Sequence, residues 1–185
     1  MNISQLADKE TKVSDIAFKG IIISGSEVIN GYLTTSGGRI TDVGISPPGC
    51  DVIDLGESYI APGFIDLHIH GIHRMLVDNG AEDLKGISKT LPQYGVTGFL
   101  PTLVPRPKGE DAIFLSELST TETEGAEILG FHLEGPFLMI TGALAAEAVS
   151  GADEERVNAL IDAAKPYKAI FSISPDVSGI EKLIP

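Results

Sequence analysis

The sequence predicts an α/β protein in two parts: a small antiparallel β unit over residues 1–60 and about four strand–helix units over residues 61–185. Three observations carry this. Short runs of apolar and β-branched residues, split by turn residues, fill the first part. Strand-like and helix-like periods alternate in the second part, with short links. The texture changes between the two at Ala61-Pro62-Gly63.

The leader MNISQLADKETK is polar and mixed in charge, so it reads as loose chain and not as a signal peptide. AFKGIIISG, EVINGYLTT, GRITDVGI and DVIDLGESYI follow as four short β runs, punctuated by SGSE, SGG and PPGC. GFIDLHIHG is a nearly continuous apolar run, as expected of a parallel strand buried on both faces. In AEDLKGISKTLPQYG, Leu84, Ile87 and Leu91 recur at helical spacing, and Pro92 ends or kinks that helix. VTGFLPTLV is a second strand. EDAIFLSELS is a short helix with Ile113, Phe114 and Leu118 on one side. AEILGFHLEG is a third strand. ADEERVNALIDAAKP is an amphipathic helix with Val157, Leu160, Ile161 and Ala164 on its apolar face. KAIFSISPD is a fourth strand, and GIEKLIP reads as the start of a helix. Such alternation means parallel strands joined by right-handed crossovers. A closed eight-stranded α/β barrel needs about 250 residues. The second part is therefore half of such a barrel or a small open sheet.

Composition excludes some roles. Thirteen Lys+Arg against 26 Asp+Glu give a net charge of −13, which argues against nucleic acid as a partner. A small phosphorylated ligand needs only one or two local cations and stays compatible. The single Cys50 cannot form an internal disulfide, which fits a reducing compartment. No apolar run reaches the roughly 18 residues of a membrane helix. The expected setting is cytoplasmic, with no membrane partner.

The chemistry concentrates at two strand ends. His68 and His70 stand at i and i+2, so they share one face of their strand just before Gly71. Ligands of parallel α/β folds bind at that end. Two imidazoles so placed can reach one metal ion, at about 2.0–2.1 Å for zinc. Asp66 lies one step deeper and is expected to accept a ring N–H. In GFHLEGP, His132 and Glu134 again share a face at a strand end, and Gly135-Pro136 turns the chain. A carboxylate in so apolar a strand is costly unless paired or bound to metal. His68, His70 and Glu134 are thus the candidate metal ligands. His132, Gly135 and Pro136 are the candidate lining of a substrate pocket. His73, in the loop beyond, is read as solvated. Ser174-Pro175-Asp176 faces the same mouth, as pocket lining or plain turn. Arg106 and Lys108 read as a solvated loop.

APGFIDLHIHG, LPQYGVTGFLPTLV and ILGFHLEGPF occur in this order and spacing. This resembles the amidohydrolase superfamily, and within it the N-acetylglucosamine-6-phosphate deacetylases, over about Asp15 to Pro185. The resemblance implies the N-terminal half of a TIM-type (β/α) barrel, preceded by part of a small β-sandwich domain. It implies a metal-dependent hydrolase that removes acetate from N-acetylglucosamine 6-phosphate in amino-sugar catabolism. Glu134 would bind one metal, and the His-x-His pair, where present, a second. The ion would be divalent: zinc, or iron. The family's aspartate base lies on its last barrel strand, so this chain supplies no catalytic residue of that kind. No histidine follows His132, which leaves the family's later histidine ligands without counterparts. Leu144 stands where a substrate-touching histidine is expected. The loop GIHRMLVDN lacks the family's glycine richness. Open half-barrel edges predict a homo-oligomer. Two other readings fit the same residues: a truncated or degenerate, non-catalytic relative, and an amidohydrolase acting on another amide or cyclic amide.

Overall fold

The computed structural model describes residues 15–183, and the leader expected at residues 1–12 lies outside them. The chain divides into two compact units, one ending at Pro62 and the other beginning at Gly63.

The first unit is a four-stranded sheet. β1 (Ile16–Ser24), β2 (Glu27–Ser36) and β3 (Arg39–Gly44) form an antiparallel meander. β4 (Asp51–Ile60) then joins the other side of β1, giving the order β3-β2-β1-β4. β4 runs parallel to β1, so the expected all-antiparallel unit is in fact mixed. The register explains how a short link achieves this. Gly44 lies level with Tyr32 and hence with Lys19, whereas Asp51 pairs with Ile16. The connection need drop only about three residues, or about 10 Å, while it crosses the sheet. Ala17 and Ile22 are buried, but every β4 side chain before Ile60 is exposed.

In the second unit, β5 (Phe64–Ile69), β8 (Val96–Leu103), β10 (Phe131–Leu133) and β11 (Ala169–Phe171) form a parallel sheet in the order β11-β10-β8-β5. β6 (Gly71–Ile72) and β7 (Met75–Leu76) make a tight antiparallel pair straight after β5. Gly71 is needed there, because a Cβ would run into the Met75 carbonyl. The expected third strand is broken: β9 (Glu127–Ile128) pairs with β8, and the chain steps at Leu129–Gly130 before β10. Leu129 N–H still donates to Phe99 on β8, but Phe131 N–H donates to Lys168 on the opposite side. The sheet is open, with β5 and β11 as its edges.

Helices α1 (Ala81–Thr90), α2 (Glu110–Ser119) and α3 (Glu154–Ala163) bring Leu84, Ile87, Leu115, Leu118 and Leu160 onto Phe99, Leu103, Phe131 and Leu133. Leu91 joins them from the 3-10 turn Leu91–Tyr94, where Pro92 ends α1. Two expected faces are rotated. Ile113 of α2 is 74% exposed, and Leu115 takes the core position. In α3, Ile161 is 46% exposed, while Arg156 is buried. In α3 the buried side includes Arg156, whose guanidinium finds enough oxygen partners to go inside. β5 also differs from expectation. Phe64, Ile65 and Leu67 are 72%, 57% and 60% exposed, because β5 is an edge strand and only Ile69 packs against the helix-side core. GIEKLIP yields a 3-10 turn at Ile180–Lys182.

α3 starts at a side-chain cap: the Asp153 carboxylate accepts the Arg156 N–H at 3.0 Å. Asp153→Ala is expected to cost about 1 kcal/mol. In a thermal melt that is a fall of about 2–4 °C; an unchanged melt would show that the cap contributes nothing.

Candidate metal centre

Side chains alternate along the parallel strands. Phe131 and Leu133 of β10 point into the helix-covered core, so His132 points to the other face. Glu134 follows on that face, its N–H held by the Leu103 carbonyl at 3.0 Å. On β5, Ile69 packs into the core and His68 and His70 take the open face. A register shift between Asp66 and Ile69 breaks the ladder here. The displaced His68 N–H donates to the Asp66 carboxylate at 3.0 Å, and Ile69 N–H donates to Thr102 Oγ1 at 3.0 Å. Asp66 therefore serves the backbone of the bulge and not the ring N–H that the sequence suggested. Bulges of this kind re-aim side chains beside functional sites.

The donor atoms of His68, His70 and Glu134 all lie within 4.8 Å of one another. His70 Nε2 is 3.2 Å from Glu134 Oε2, with both side chains about one-third exposed. The His68 and His70 rings meet edge to face, 5.0 Å between centroids. Two imidazoles and one carboxylate suit a divalent ion such as zinc or iron and leave coordination positions open. His132 stands outside this cluster but touches it: its Nδ1 is 3.1 Å from His68 Nδ1. Gly135 and Pro136 are buried below Glu134, where they help line a cavity of about 20 Å³. His73 is exposed, with Tyr94 Oη 3.2 Å from its Nε2, away from the cluster. Ser174 Oγ accepts the Met139 N–H at 3.1 Å and so ties down the loop after Glu134.

Several proteins similar in sequence to this chain are N-acetylglucosamine-6-phosphate deacetylases. N-acetylglucosamine-6-phosphate deacetylase of Bacillus subtilis is 34% identical over 138 residues, covering 68% of this chain and 34% of that protein. The Danio rerio protein of the same name is 37% identical over 92 residues, 46% of this chain and 23% of that protein. In three dimensions, the deacetylase of Mycobacterium smegmatis in complex with N-acetyl-D-glucosamine-6-phosphate superposes with a TM-score of 0.78. Identity there is 25%, over 90% of this chain and 45% of that one. This chain is similar to part of the N-acetylglucosamine-6-phosphate deacetylases. It spans about a third of the length of the Bacillus subtilis deacetylase. No family model matches it.

Several residues around the His68, His70 and Glu134 cluster carried little sequence signal. Ser172, immediately after β11, has its Oγ 2.8 Å from His132 Nε2. It sits two residues before Ser174, and period 2 would have placed both at the same mouth. Asp78, in the turn after β7, is pushed up from the ordinary carboxylate range, first by burial, with Arg106 opposing. His70 and Glu134 both act on it electrostatically. Its Oδ1 and Arg106 Nε are buried without hydrogen-bond partners among the described residues. Nothing in VDN announces this. Lys108 lies in an exposed turn, as expected, but Arg106 is not solvated. Arg106 stacks on Phe114, 3.8 Å from the ring centre, and donates to the Asp78 carbonyl at 2.8 Å. Lys108 bridges Asp153 and Glu155 at 2.8 and 2.7 Å.

His132 is held below the ordinary imidazole value of 6.5, first by burial and then by His68. The sign follows directly. Between the lowered value and 6.5 the unfolded chain binds more protons than the folded one, so stability rises with pH across that window. The metal-free protein should therefore lose stability as pH falls below about 6.5. Urea midpoints from pH 7.5 to 5 would show a shallower slope for His132→Gln. An identical slope would remove His132 from the acid response.

Proposed function

We propose that this chain forms part of a metal-dependent amidohydrolase that releases acetate from N-acetylglucosamine 6-phosphate. The observation that carries the reading is the convergence of His68, His70 and Glu134 at the C-terminal ends of two parallel strands. The shared name of the sequence relatives supplies the substrate class. The parallel order β11-β10-β8-β5, with helices on one face, supports reading the second unit as part of a (β/α) barrel. The first unit fits a portion of a β-sandwich. The setting is cytoplasmic, and the open edges β5 and β11 favour association with another copy.

In this reading His68, His70 and Glu134 hold a divalent ion, zinc or iron. When bound, the ion supplies Lewis acidity, making hydroxide available near neutral pH and polarising an amide carbonyl. Glu134 contributes the negative charge that offsets the ion. The bulge at Asp66–Ile69 fixes the His68 backbone through the Asp66 carboxylate. His132 borders the substrate side of the cluster. Gly135 and Pro136 hold the turn beneath Glu134, with Pro136 O accepting both Leu138 and Ser150 N–H at 3.0 Å.

The test is acetate release from N-acetylglucosamine 6-phosphate by zinc-loaded protein, with Glu134→Gln as control. Turnover lost in the variant supports the reading. A raised melting temperature with the sugar phosphate but no acetate favours the non-catalytic relative, since a ligand of the folded state alone stabilises it. Turnover retained in Glu134→Gln would sink the ligand assignment.

A further inference from the structure

We propose that His132 and Ser172 form a hydrogen-bonded positioning chain that sets which nitrogen of His68 faces the metal. The inference rests on the ligand reading above and adds to it two residues that do not touch the ion. Three atoms-to-atoms contacts carry it. His68 Nδ1 and His132 Nδ1 are 3.1 Å apart. His132 Nε2 and Ser172 Oγ are 2.8 Å apart. The Ser172 N–H donates to the Leu133 carbonyl at 2.9 Å, which holds the serine in register beside His132.

The proton positions then follow from imidazole chemistry. A hydrogen bond between two Nδ1 atoms needs a proton on one and a lone pair on the other. An imidazole whose Nδ1 is engaged by a neighbour offers the metal its Nε2. Bound so, His68 carries its proton on Nδ1 and donates to His132. His132 Nδ1 is then the acceptor, its own proton sits on Nε2, and that N–H donates to Ser172 Oγ. Each link leaves one arrangement for the next. Ligand histidines are commonly oriented through their second nitrogen in this way.

The fold makes room for the chain. His132 pairs in register with Thr102 of β8, the strand between β10 and β5. Thr102 is fully buried, and its hydroxyl accepts the Ile69 N–H. Its small side chain stays low, so the two imidazoles meet across it, ring centres 4.7 Å apart. Ser172, His132 and His68 thus link three strand ends into one support for the ligand nitrogen.

The experiment compares zinc affinity, by chelator competition, in wild type, His132→Phe, Ser172→Ala and Ser172→Thr, each shown to be folded by circular dichroism. Ring-nitrogen NMR on the zinc-loaded wild type reads the tautomers. The expected loss is about 10–100-fold for His132→Phe and about tenfold for Ser172→Ala. Ser172→Thr keeps the hydroxyl and should stay within about twofold of wild type. The spectrum should place the proton of His68 on Nδ1 and that of His132 on Nε2. Stoichiometric zinc in the wild type with unchanged affinity in His132→Phe, or a His132 proton on Nδ1, overturns the inference and leaves the ligand set standing. Wild type that binds no zinc overturns the ligand set and the inference with it. Loss of affinity in Ser172→Thr equal to that in Ser172→Ala would show a packing effect and overturn the role of the hydroxyl.

Discussion

Glu134→Ala is expected to abolish stoichiometric binding of a divalent metal while leaving the fold intact. Glu134 supplies the single negative charge of the His68, His70, Glu134 cluster and sits 3.2 Å from His70 Nε2. Removing it leaves two imidazoles and no carboxylate, with His68 on an exposed edge strand. A structural zinc site is worth about 10–16 kcal/mol over all of its ligands, so one charged ligand is worth roughly a hundredfold or more in affinity. The fold should survive, because the Glu134 side chain is about one-third exposed and its N–H bond to Leu103 needs no side chain. Elemental analysis of folded wild type and variant would decide it. Equal metal in both would place the ion elsewhere.

Arg156→Ala is expected to be among the most damaging single changes to stability. The Arg156 side chain is 2% exposed and that of its partner Asp111 9%. Arg156 Nε donates to Asp111 Oδ2 at 2.8 Å, and Nη1 donates to Ser150 Oγ at 3.0 Å. Nη2 donates to the carbonyls of Arg106 and Ala148, the latter at 2.9 Å. One guanidinium thereby joins α3 to the start of α2, to the loop after β8 and to the loop after Glu134. Truncation leaves the buried Asp111 Oδ2 and two carbonyls without their arginine donor, while Asp111 Oδ1 keeps the Gly109 and Ala112 N–H groups. Breaking a buried pair on one side costs about 3–5 kcal/mol. For a chain of this size that lowers the melting temperature by about 6–20 °C. Arg156→Lys should recover only part, because an ammonium cannot reproduce the fork. A loss under about 1 kcal/mol would show that water replaces the network.

How far the site could be read from the chain depends on how local its signals are. His68 and His70 were legible because period 2 puts i and i+2 on one strand face. His132 and Glu134 were legible for the same reason, with Gly135-Pro136 marking the strand end. Asp66 was visible but given the wrong partner: the bulge turns the His68 N–H toward it, and a bulge has no reliable sequence signature. Arg156 was invisible, because a charged residue in an amphipathic pattern reads as solvent-facing. Its burial depends on the carbonyls of Arg106 and Ala148, the Ser150 hydroxyl and the carboxylate of Asp111, of which Arg106 and Asp111 are distant in sequence. Ile161 was lost to the same effect.

What the sequence by itself determined is therefore local. It set the strand–helix alternation of residues 61–185, the helices that carry Leu84, Ile87 and Leu160, and which side chains stand at strand ends. Tertiary structure decided what depends on neighbours. It made β4 parallel to β1, because a short β3 lets a short link cross the sheet. It exposed β5, because an edge strand lacks a partner on one side. It also brought His132 against His68 across Thr102, with Ser172 behind it. Periodicity reports which face a residue takes on its own strand; strand order and register choose what that face will meet.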